Sequence, residues 1–230
     1  MTTSKAWVPE TRFGKWFLRT DMWTHHVVAI SLIELKCLFD AERPFSRILD
    51  IGCGEGPAFS LLERHFNPQS LIGIDIDQGL VRRAALAASR CRCNAEAHVG
   101  DAARLDLPDS SVDMIFCHQT LHHLPNQIEA VRELYRVLKP GGVLLCAESC
   151  RSFIESLWVR LLFRHPADVQ KSADEYLELL RTTGFKFDQR NISRPYPPWS
   201  RPDFGLSQLL GRPVPNDRQA PLIYVAAQKN

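Results

Sequence analysis

Three glycines at alternate positions follow a short apolar run near residue 50. Ile48–Ile51 is apolar apart from Asp50, and Gly52, Gly54 and Gly56 come directly after it. The residues beyond the last glycine show apolar positions with helical spacing, so the pattern predicts a buried parallel strand, a tight turn and a helix. Glycines in such a turn let the backbone come close to a ligand at the carboxyl edge of a sheet.

The spacing of the glycines argues against a dinucleotide. The diphosphate fingerprint is G-x-G-x-x-G, whose third glycine packs the helix against the strand, and Pro57 stands at that position here. Asp50 lies at the end of the predicted strand. Its charge would repel a diphosphate but would suit an ammonium group.

A second buried strand, within residues 70–77, also ends in acid. Asp75 lies about twenty residues beyond the glycine turn, where a carboxylate accepts hydrogen bonds from both hydroxyls of a ribose. Asp75 alone would equally suit a nicotinamide cofactor. Only the glycine turn at residues 52–56 argues for a ribose-containing ligand without a diphosphate. Asp77 fits the N-cap of the helix that follows.

Four features of the sequence resemble one enzyme family. D-x-G-x-G-x-G at residues 50–56 resembles motif I of the class I S-adenosylmethionine-dependent methyltransferases. Asp113, the L-H-H triplet at 121–123 and L-Y-R-V-L-K-P-G-G-V-L at 134–144 are similar to the type 11 group, which includes ubiquinone and menaquinone methyltransferases. The resemblance covers residues 45–150, about half of the chain.

The resemblance implies a fold and a cofactor. The fold is a doubly wound, Rossmann-like α/β domain with a seven-stranded sheet of order 3-2-1-4-5-7-6, in which strand 7 is antiparallel. The cofactor is S-adenosyl-L-methionine, with S-adenosyl-L-homocysteine as product and no metal expected. The implied cofactor-binding residues are Asp50, Gly52, Cys53, Gly54, Gly56, Asp75, Ile76, Asp101, Ala102, Cys117 and His118. Among them, Asp75 would bind the ribose, Ile76 would contact the adenine ring, and Asp101 would accept from the adenine amino group.

Three histidines follow the fourth predicted strand and are candidates for catalysis. His118, His122 and His123 lie in the loop at the ligand edge, and the unperturbed pKa of a histidine is near neutral, as a general base requires. The L-H-H pair also occurs in family members with different chemistries, so a structural role for His122 and His123 stays open.

Aromatic residues flank the matched region and are candidates for an acceptor pocket. The candidates are Trp16, Trp23, His26, Trp158 and Trp199. Residues 1–40 are predicted to form an N-terminal helical cap, and 41–230 the methyltransferase domain. A proline-rich insertion at about 194–220 would cover the substrate or bind a partner. The alternative for the first aromatic residues is that they only pack a helix onto the sheet.

The pattern after residue 138 gives three further boundaries. Residues 139–142 are predicted as a turn before a fifth strand at 143–148. Residues 153–162 are predicted as one amphipathic helix, for which ordinary packing on the sheet is the favoured interpretation. The alternatives are a pocket wall, a lid or a helix that rests on a membrane surface. A helix at 173–183 and the start of strand six at residue 184 follow.

Composition sets outer limits on function. A chain of 230 residues with a net charge of +2 is too mildly basic to indicate a nucleic-acid partner. Seven cysteines without a paired framework, and no signal-peptide pattern, predict a cytoplasmic protein. No apolar run reaches the length of a membrane span, although peripheral membrane contact stays possible. Cys91 and Cys93 form a C-x-C pair, but further ligands are missing, so no metal is expected there.

The sequence therefore predicts methyl transfer to a small, apolar or aromatic acceptor, such as a phenol, quinone, lipid or secondary metabolite. The acceptor atom and the oligomeric state do not follow from the sequence. Two alternatives remain: a catalytically silent binding protein that uses the fold as a scaffold, and a nicotinamide-dependent oxidoreductase.

Overall fold

The apolar runs form one seven-stranded sheet in the computed structural model, which describes residues 10–40, 42–197, 200, 206–211 and 219–230. The strands are β1 Arg47–Ile51, β2 Ser70–Asp75, β3 Asn94–Val99, β4 Val112–His118, β5 Leu138–Ser149, β6 Ile192–Ser193 and β7 Leu222–Gln228. Their order is β3-β2-β1-β4-β5-β7-β6. Strands β1 to β5 pair in parallel, and β7 is antiparallel to both of its neighbours. The predicted sheet order is confirmed.

Helices cover both faces of this sheet. They are α1 Arg12–Phe17, α2 Asp21–Trp23, α3 Ala29–Lys36, α4 Phe59–Phe66, α5 Gln78–Ala88, α6 Gln127–Val137, α7 Arg151–Ile154, α8 Leu157–Leu162, α9 Ala173–Thr183 and α10 Leu206–Leu209. A π-helical turn at Thr24–Val28 joins α2 to α3. Helices α3, α4 and α5 pack with one face of the sheet, and α6 and α9 with the other.

The strand sequences explain this two-sided burial. Neighbouring residues on a strand point to opposite faces, and in β1 Ile48 belongs to one core while Leu49 and Ile51 belong to the other. A strand buried on both faces reads as an almost continuous apolar run, which is how β1, β2 and β4 could be found in the sequence.

Local capping sets several helix ends. The Asp77 carboxylate accepts hydrogen bonds from the backbone N–H groups of Gly79 and Leu80, at 2.7 and 3.1 Å, so its predicted N-cap role is confirmed. Ser172 and Glu175 form a capping box at the start of α9. Gly184 ends that helix with a φ of 115°, so the predicted span 173–183 is also confirmed.

Three predicted boundaries after residue 138 were wrong. Strand β5 already begins at Leu138, which pairs with Val112, and the expected turn is an irregularity inside the strand. The apolar stretch 153–162 forms two helices, because the backbone at Ser156 is extended (ψ 147°). After Gly184 only Lys186 bridges to β7, and β6 itself begins at Ile192.

Two further points concern the remainder of the chain. Most of the predicted insertion at about 194–220, including Trp199, lies outside the described residues. Among the residues that are described, no helix is long and apolar enough to span a bilayer.

Candidate active site

The glycine turn after β1 has a backbone that favours glycine at each alternate position. The φ angles of Gly52, Gly54 and Gly56 are 70°, 55° and 81°, in the left-handed region where a side chain is strained. A Cβ at Gly52 would lie 2.2 Å from Oγ1 of Thr120, whereas a Cβ at Gly54 would meet no atom within 4 Å. Gly52 therefore permits close packing, and Gly54 borders open space into which a ligand can fit.

Asp75 holds the turn against the end of β2. Its Oδ2 accepts a hydrogen bond from the N–H of Gly54 and its Oδ1 accepts one from the N–H of Asp77, both at 2.9 Å. Each carboxylate oxygen has two lone pairs, so both oxygens can accept another hydrogen bond. Burial raises the pKa of Asp75 from its ordinary value, against the lowering effect of these N–H groups.

Asp50 is buried beside this turn without a matching donor. Its side chain is 3% exposed, and its Oδ2 has no hydrogen-bond partner among the described residues. Burial, and then the charge of Asp75, raises the pKa of Asp50 well above its ordinary value. An unpartnered buried carboxyl is costly, and a ligand ammonium group would relieve that cost. The site thus fits a ligand with a ribose and an amino group.

The other implied cofactor residues lie along the same edge or beneath it. Asp101 is exposed after β3 and accepts a hydrogen bond from the N–H of Ala103 at 2.9 Å, while Ala102 is buried. Ile76 is partly exposed next to Asp75. Cys53 is buried, with its sulfur 2.9 Å from where a Cβ at Gly73 would stand, so its side chain packs within the fold and only its backbone can face a ligand.

His118 is a neutral imidazole at the end of β4. It is 9% exposed, and its Nε2 has no hydrogen-bond partner among the described residues. Its ring is parallel to that of Phe116 at 5.7 Å and edge-on to that of Trp23 at 5.6 Å. Burial, helped by His122, lowers the pKa of His118 to about 3. The ring can accept a hydrogen bond at neutral pH, but it is a weak base.

Glu148 organises the loop after β4 and was not indicated by the sequence analysis. It is fully buried at the end of β5. Its Oε1 accepts hydrogen bonds from the N–H groups of Thr120 and Leu121 at 2.9 and 2.7 Å, and its Oε2 lies 2.7 Å from Nδ1 of His122. The Cys117 thiol is 3.8 Å from the same carboxylate. An acid at the end of an apolar strand, the signal that marked Asp75, would also have marked Glu148.

His122 and His123 pack with a third histidine that the sequence analysis did not single out. The ring centroids of His122, His123 and His165 are 4.2 to 5.1 Å apart. Burial lowers the pKa of His123 well below its ordinary value and that of His165 to about 3. His165 comes from the segment after α8, 42 residues beyond His123, and no sequence spacing connects the two.

The aromatic residues expected around the acceptor lie in different places. Trp23 contacts His118 and Phe17, so it reaches the edge of the site. Trp16 is 60% exposed, and Trp158 is 46% exposed. His26 is also exposed.

The N-terminal segment closes over the glycine turn. Arg19 and Glu55 form an ion pair at 2.7 Å, and Glu55 belongs to the turn itself. Phe13 and Phe17 pack against Phe163, with ring centroids 5.7 and 5.8 Å apart. The segment before β1 and the segment after α8 therefore meet near the carboxyl edge of the sheet.

Cys91 and Cys93 lie away from this edge, beside Glu63. The Glu63 Oε1 accepts hydrogen bonds from the N–H groups of Arg92 and Cys93 at 2.5 and 2.8 Å. Burial and this carboxylate raise the pKa of the Cys93 thiol to about 11. A thiol with that pKa is a poor nucleophile at neutral pH, because the thiolate is the reactive form.

Comparison with known proteins finds a family model that matches the central part of the chain. Residues 49–146 match a family model described as a methyltransferase domain. A probable S-adenosylmethionine-dependent methyltransferase of Mycolicibacterium smegmatis is 34% identical over 142 residues, which are 61% of this chain and 52% of that protein. Demethylmenaquinone methyltransferase of Symbiobacterium thermophilum is 33% identical, over 48% of this chain and 45% of its own. Phosphoethanolamine N-methyltransferase 3 of Arabidopsis thaliana is 29% identical, over 62% of this chain and 28% of its own.

Solved structures agree on the fold. An S-adenosylmethionine-dependent methyltransferase from Mesorhizobium loti superposes with a TM-score of 0.63 at 17% identity, covering 86% of this chain and 96% of the other. The [4+2]-cyclase SpnF gives 0.64 at 22% identity, covering 89% and 82%. This chain spans between a quarter and about half of the length of the curated relatives described above. Residues 49–146 thus match a methyltransferase-domain family, and the similar proteins include S-adenosylmethionine-dependent methyltransferases.

Proposed function

We propose that this chain binds S-adenosylmethionine at the carboxyl edge of β1, β2 and β4 and transfers its methyl group to a small acceptor. The observation that carries this proposal is the buried carboxyl of Asp50, whose Oδ2 has no hydrogen-bond partner among the described residues, beside a glycine turn that borders open space at Gly54. A cofactor with an ammonium group, a ribose and no phosphate matches that environment.

Each part of the cofactor has a candidate partner. Asp50 would face the amino group, and both oxygens of Asp75 would accept the ribose hydroxyls. Ile76 and the Asp101–Ala102 segment would border the adenine ring. The backbone of residues 52–56 would lie along the ligand, as would Cys117 and His118 at the end of β4.

The bound cofactor supplies an activated methyl group on a sulfonium, which needs no further activation. The chain then has to align the acceptor and to exclude water. Trp23 and His118 pack edge-on against each other and provide an aromatic wall at the edge of the site. Because the pKa of His118 is about 3, its role would be to orient an acceptor hydroxyl or amine through Nε2. We assign neither His122 nor His123 direct contact with the acceptor; His122 positions the loop through Glu148.

The acceptor is proposed to be small and apolar or aromatic, such as a phenol, quinone, lipid or secondary metabolite. Phe17, Trp23 and Phe163 form a connected aromatic surface next to the uncharged ring of His118. The demethylmenaquinone methyltransferase relative is consistent with this class, whereas the phosphoethanolamine relative would favour a polar amine. We further propose that residues 1–40 form a cap over the 41–230 domain, that the 194–220 insertion completes the pocket, and that the protein is cytoplasmic.

The test is formation of S-adenosylhomocysteine from methyl-labelled S-adenosylmethionine with panels of phenols, quinones, amines, lipids, nucleic acid and protein. We expect transfer to a phenol or quinone. Trp23→Ala is expected to raise the acceptor KM at least tenfold with unchanged cofactor affinity, and Trp16→Ala, which changes a mostly exposed residue, is the matched control. Label appearing only on nucleic acid or protein would refute the small-acceptor assignment.

A second candidate is a protein that binds the cofactor without moving its methyl group. The similarity to the [4+2]-cyclase SpnF shows that this fold is not restricted to methyl transfer. Cofactor binding without label transfer to any acceptor would favour this second candidate, whereas failure to bind any nucleoside cofactor would favour a catalytically silent scaffold. A nicotinamide enzyme is disfavoured, because a diphosphate would approach the Asp50 carboxyl.

A further inference from the structure

Three imidazoles from two distant parts of the chain meet beside the proposed acceptor pocket. His122 and His123 belong to the 3-10 turn after β4, and His165 lies in the segment after α8. One ring nitrogen from each lies within 4.8 Å of the others. We propose that this three-histidine cluster binds a divalent transition-metal ion of the zinc class. The family implies no metal, so the site goes beyond the proposed function.

The donor set suits such an ion. Imidazole is a preferred ligand for Zn²⁺, Cu²⁺, Ni²⁺ and Fe²⁺, and three protein ligands leave one coordination position open, as in catalytic zinc sites. Zn–N bonds of about 2.0–2.1 Å in a tetrahedron put ligand nitrogens about 3.3 Å apart. The cluster would need to contract by at most about 1.5 Å, which side-chain rotation can supply.

The surroundings of His122 provide the second support. A metal-binding histidine usually donates a hydrogen bond from its other ring nitrogen to a carboxylate, a backbone carbonyl or water. Here Oε2 of Glu148 lies 2.7 Å from Nδ1 of His122. That leaves Nε2 for an ion. The two N–H groups of Thr120 and Leu121 fix the Glu148 carboxylate, so the ring orientation is set before an ion binds.

Charge and backbone contacts also fit a bound cation. Glu148 is buried in contact with the cluster, and Glu10 is close enough to His122 to interact with it electrostatically. Two carboxylates would match the charge of a dication held by neutral imidazoles. The Gln170 side chain donates hydrogen bonds to the carbonyl oxygens of His122 and Pro166, at 2.9 and 2.7 Å, and so already holds the two segments together.

Cobalt binding to the full-length protein tests the proposal without any cofactor present. The chain would be stripped with a chelator, titrated with Co²⁺ while visible absorption is recorded, and then titrated with Zn²⁺ in competition. We expect one Co²⁺ per chain, with a ligand-field spectrum of low coordination number and no thiolate charge-transfer band. Because loss of an outer-shell partner already costs about 10–100-fold in affinity, His165→Ala and His123→Ala should each weaken binding at least about 100-fold.

Two control variants test whether Co²⁺ binds at the three-histidine cluster and not at other histidine or cysteine side chains. His98→Ala removes an exposed histidine on β3, and the double variant Cys91→Ser, Cys93→Ser removes the thiols that lie with Glu63. Both should bind Co²⁺ as the wild type does. Thermal unfolding without metal would verify that each variant is folded. Equal affinity of wild type and His165→Ala would overturn the proposal, as would a thiolate charge-transfer band that disappears in the cysteine variant. Failure of methyl transfer would leave these results unaffected.

Discussion

Asp50 and Asp75 are both carboxyls at strand ends, but among the described residues their hydrogen bonding differs. Two N–H groups bind the oxygens of Asp75, whereas Asp50 is more deeply buried and its Oδ2 is unpartnered within the described part of the chain. Without ligand, Asp50 therefore favours its protonated form. With an ammonium group beside it, the ionised form becomes favourable.

This difference predicts that cofactor binding releases a proton from Asp50. Between its ordinary pKa of 3.8 and its raised pKa, the free protein holds the proton and the complex does not. Calorimetric titration with S-adenosylhomocysteine at mildly acidic pH, in two buffers of different ionisation enthalpy, should give different observed heats. In Asp50→Asn the two buffers should agree. Equal heats in both buffers for the wild type would contradict the proposed contact.

His118 predicts an acid-sensitive contribution to folding. Its pKa is about 3 in the folded chain and about 6.5 when unfolded, so between these values the unfolded state binds more protons. The free energy of unfolding should therefore fall as the pH drops from about 6.5 towards 3, and this contribution is fully retained above 6.5. Urea unfolding of wild type and His118→Gln across that range measures it. Parallel pH dependences in the two proteins would show that His118 is not buried as described.

At the scale of the element, two glycines of the turn after β1 have different roles: Gly52 permits close packing, and Gly54 leaves space for a ligand. A Cβ at Gly52 would collide with Thr120, and a Cβ at Gly54 would enter open space. Gly211 also has a positive φ, 76°, with no atom near its virtual Cβ. Gly211 lies outside the proposed cofactor-binding turn at residues 52–56 and is the matched control for backbone strain.

We expect the three alanine variants to differ in a defined way. Gly54→Ala and Gly211→Ala should each lose about 1–2 kcal/mol of unfolding free energy through backbone strain alone. Gly52→Ala should lose more, because Thr120 must also move. Of the three variants, only Gly54→Ala should have about the stability of the Gly211→Ala control and yet bind the cofactor at least tenfold more weakly. Chemical denaturation and calorimetry provide both numbers, and unchanged affinity in Gly54→Ala would place the ligand elsewhere.

The sequence could predict most of the sheet, because strands buried on both faces leave long apolar runs and Asp75 ends one of them. It could not predict the break at Ser156, since apolar spacing continues through residues 153–162 although the backbone does not. The Glu148–His122 contact and the position of His165 depend on packing between distant segments. Periodicity also could not distinguish Trp23, which contacts His118, from the more exposed Trp16 and Trp158. A periodic pattern predicts which face of a helix is apolar, but it does not predict which residues that face contacts.

At the scale of the whole molecule, the N-terminal segment contacts the glycine turn and the end of α8. Two contacts hold α1 to the end of α8: Phe13 packs against Phe163, and the hydroxyl of Thr11, the N-cap of α1, donates a hydrogen bond of 2.5 Å to the carbonyl of Leu162. Arg19, which belongs to the N-terminal segment, forms an ion pair with Glu55 of the glycine turn. A ligand at the turn would thus touch both the turn and the N-terminal segment, and its binding energy would stabilise the folded chain as a unit.

S-adenosylhomocysteine should therefore raise the melting temperature. A ligand at 100 times its Kd adds about 2.7 kcal/mol. For a domain of this size, each kcal/mol corresponds to about 2–4 °C, so a shift of about 5–11 °C is expected. NAD and NADH at equal concentration should give no shift, because of Asp50 and Pro57. A shift with NAD alone would revive the oxidoreductase alternative.

The central claim is that Asp75 and the glycine turn bind S-adenosylmethionine. Calorimetric titration of wild type, Asp75→Asn and Asp75→Ala with S-adenosylmethionine and S-adenosylhomocysteine tests it most directly. A charged hydrogen bond contributes about 1.5–3 kcal/mol, so Asp75→Ala should bind more than tenfold more weakly, and Asp75→Asn, which keeps one acceptor oxygen, should fall between. Wild type that binds neither compound, or Asp75→Ala that is folded and binds as wild type does, would contradict the account.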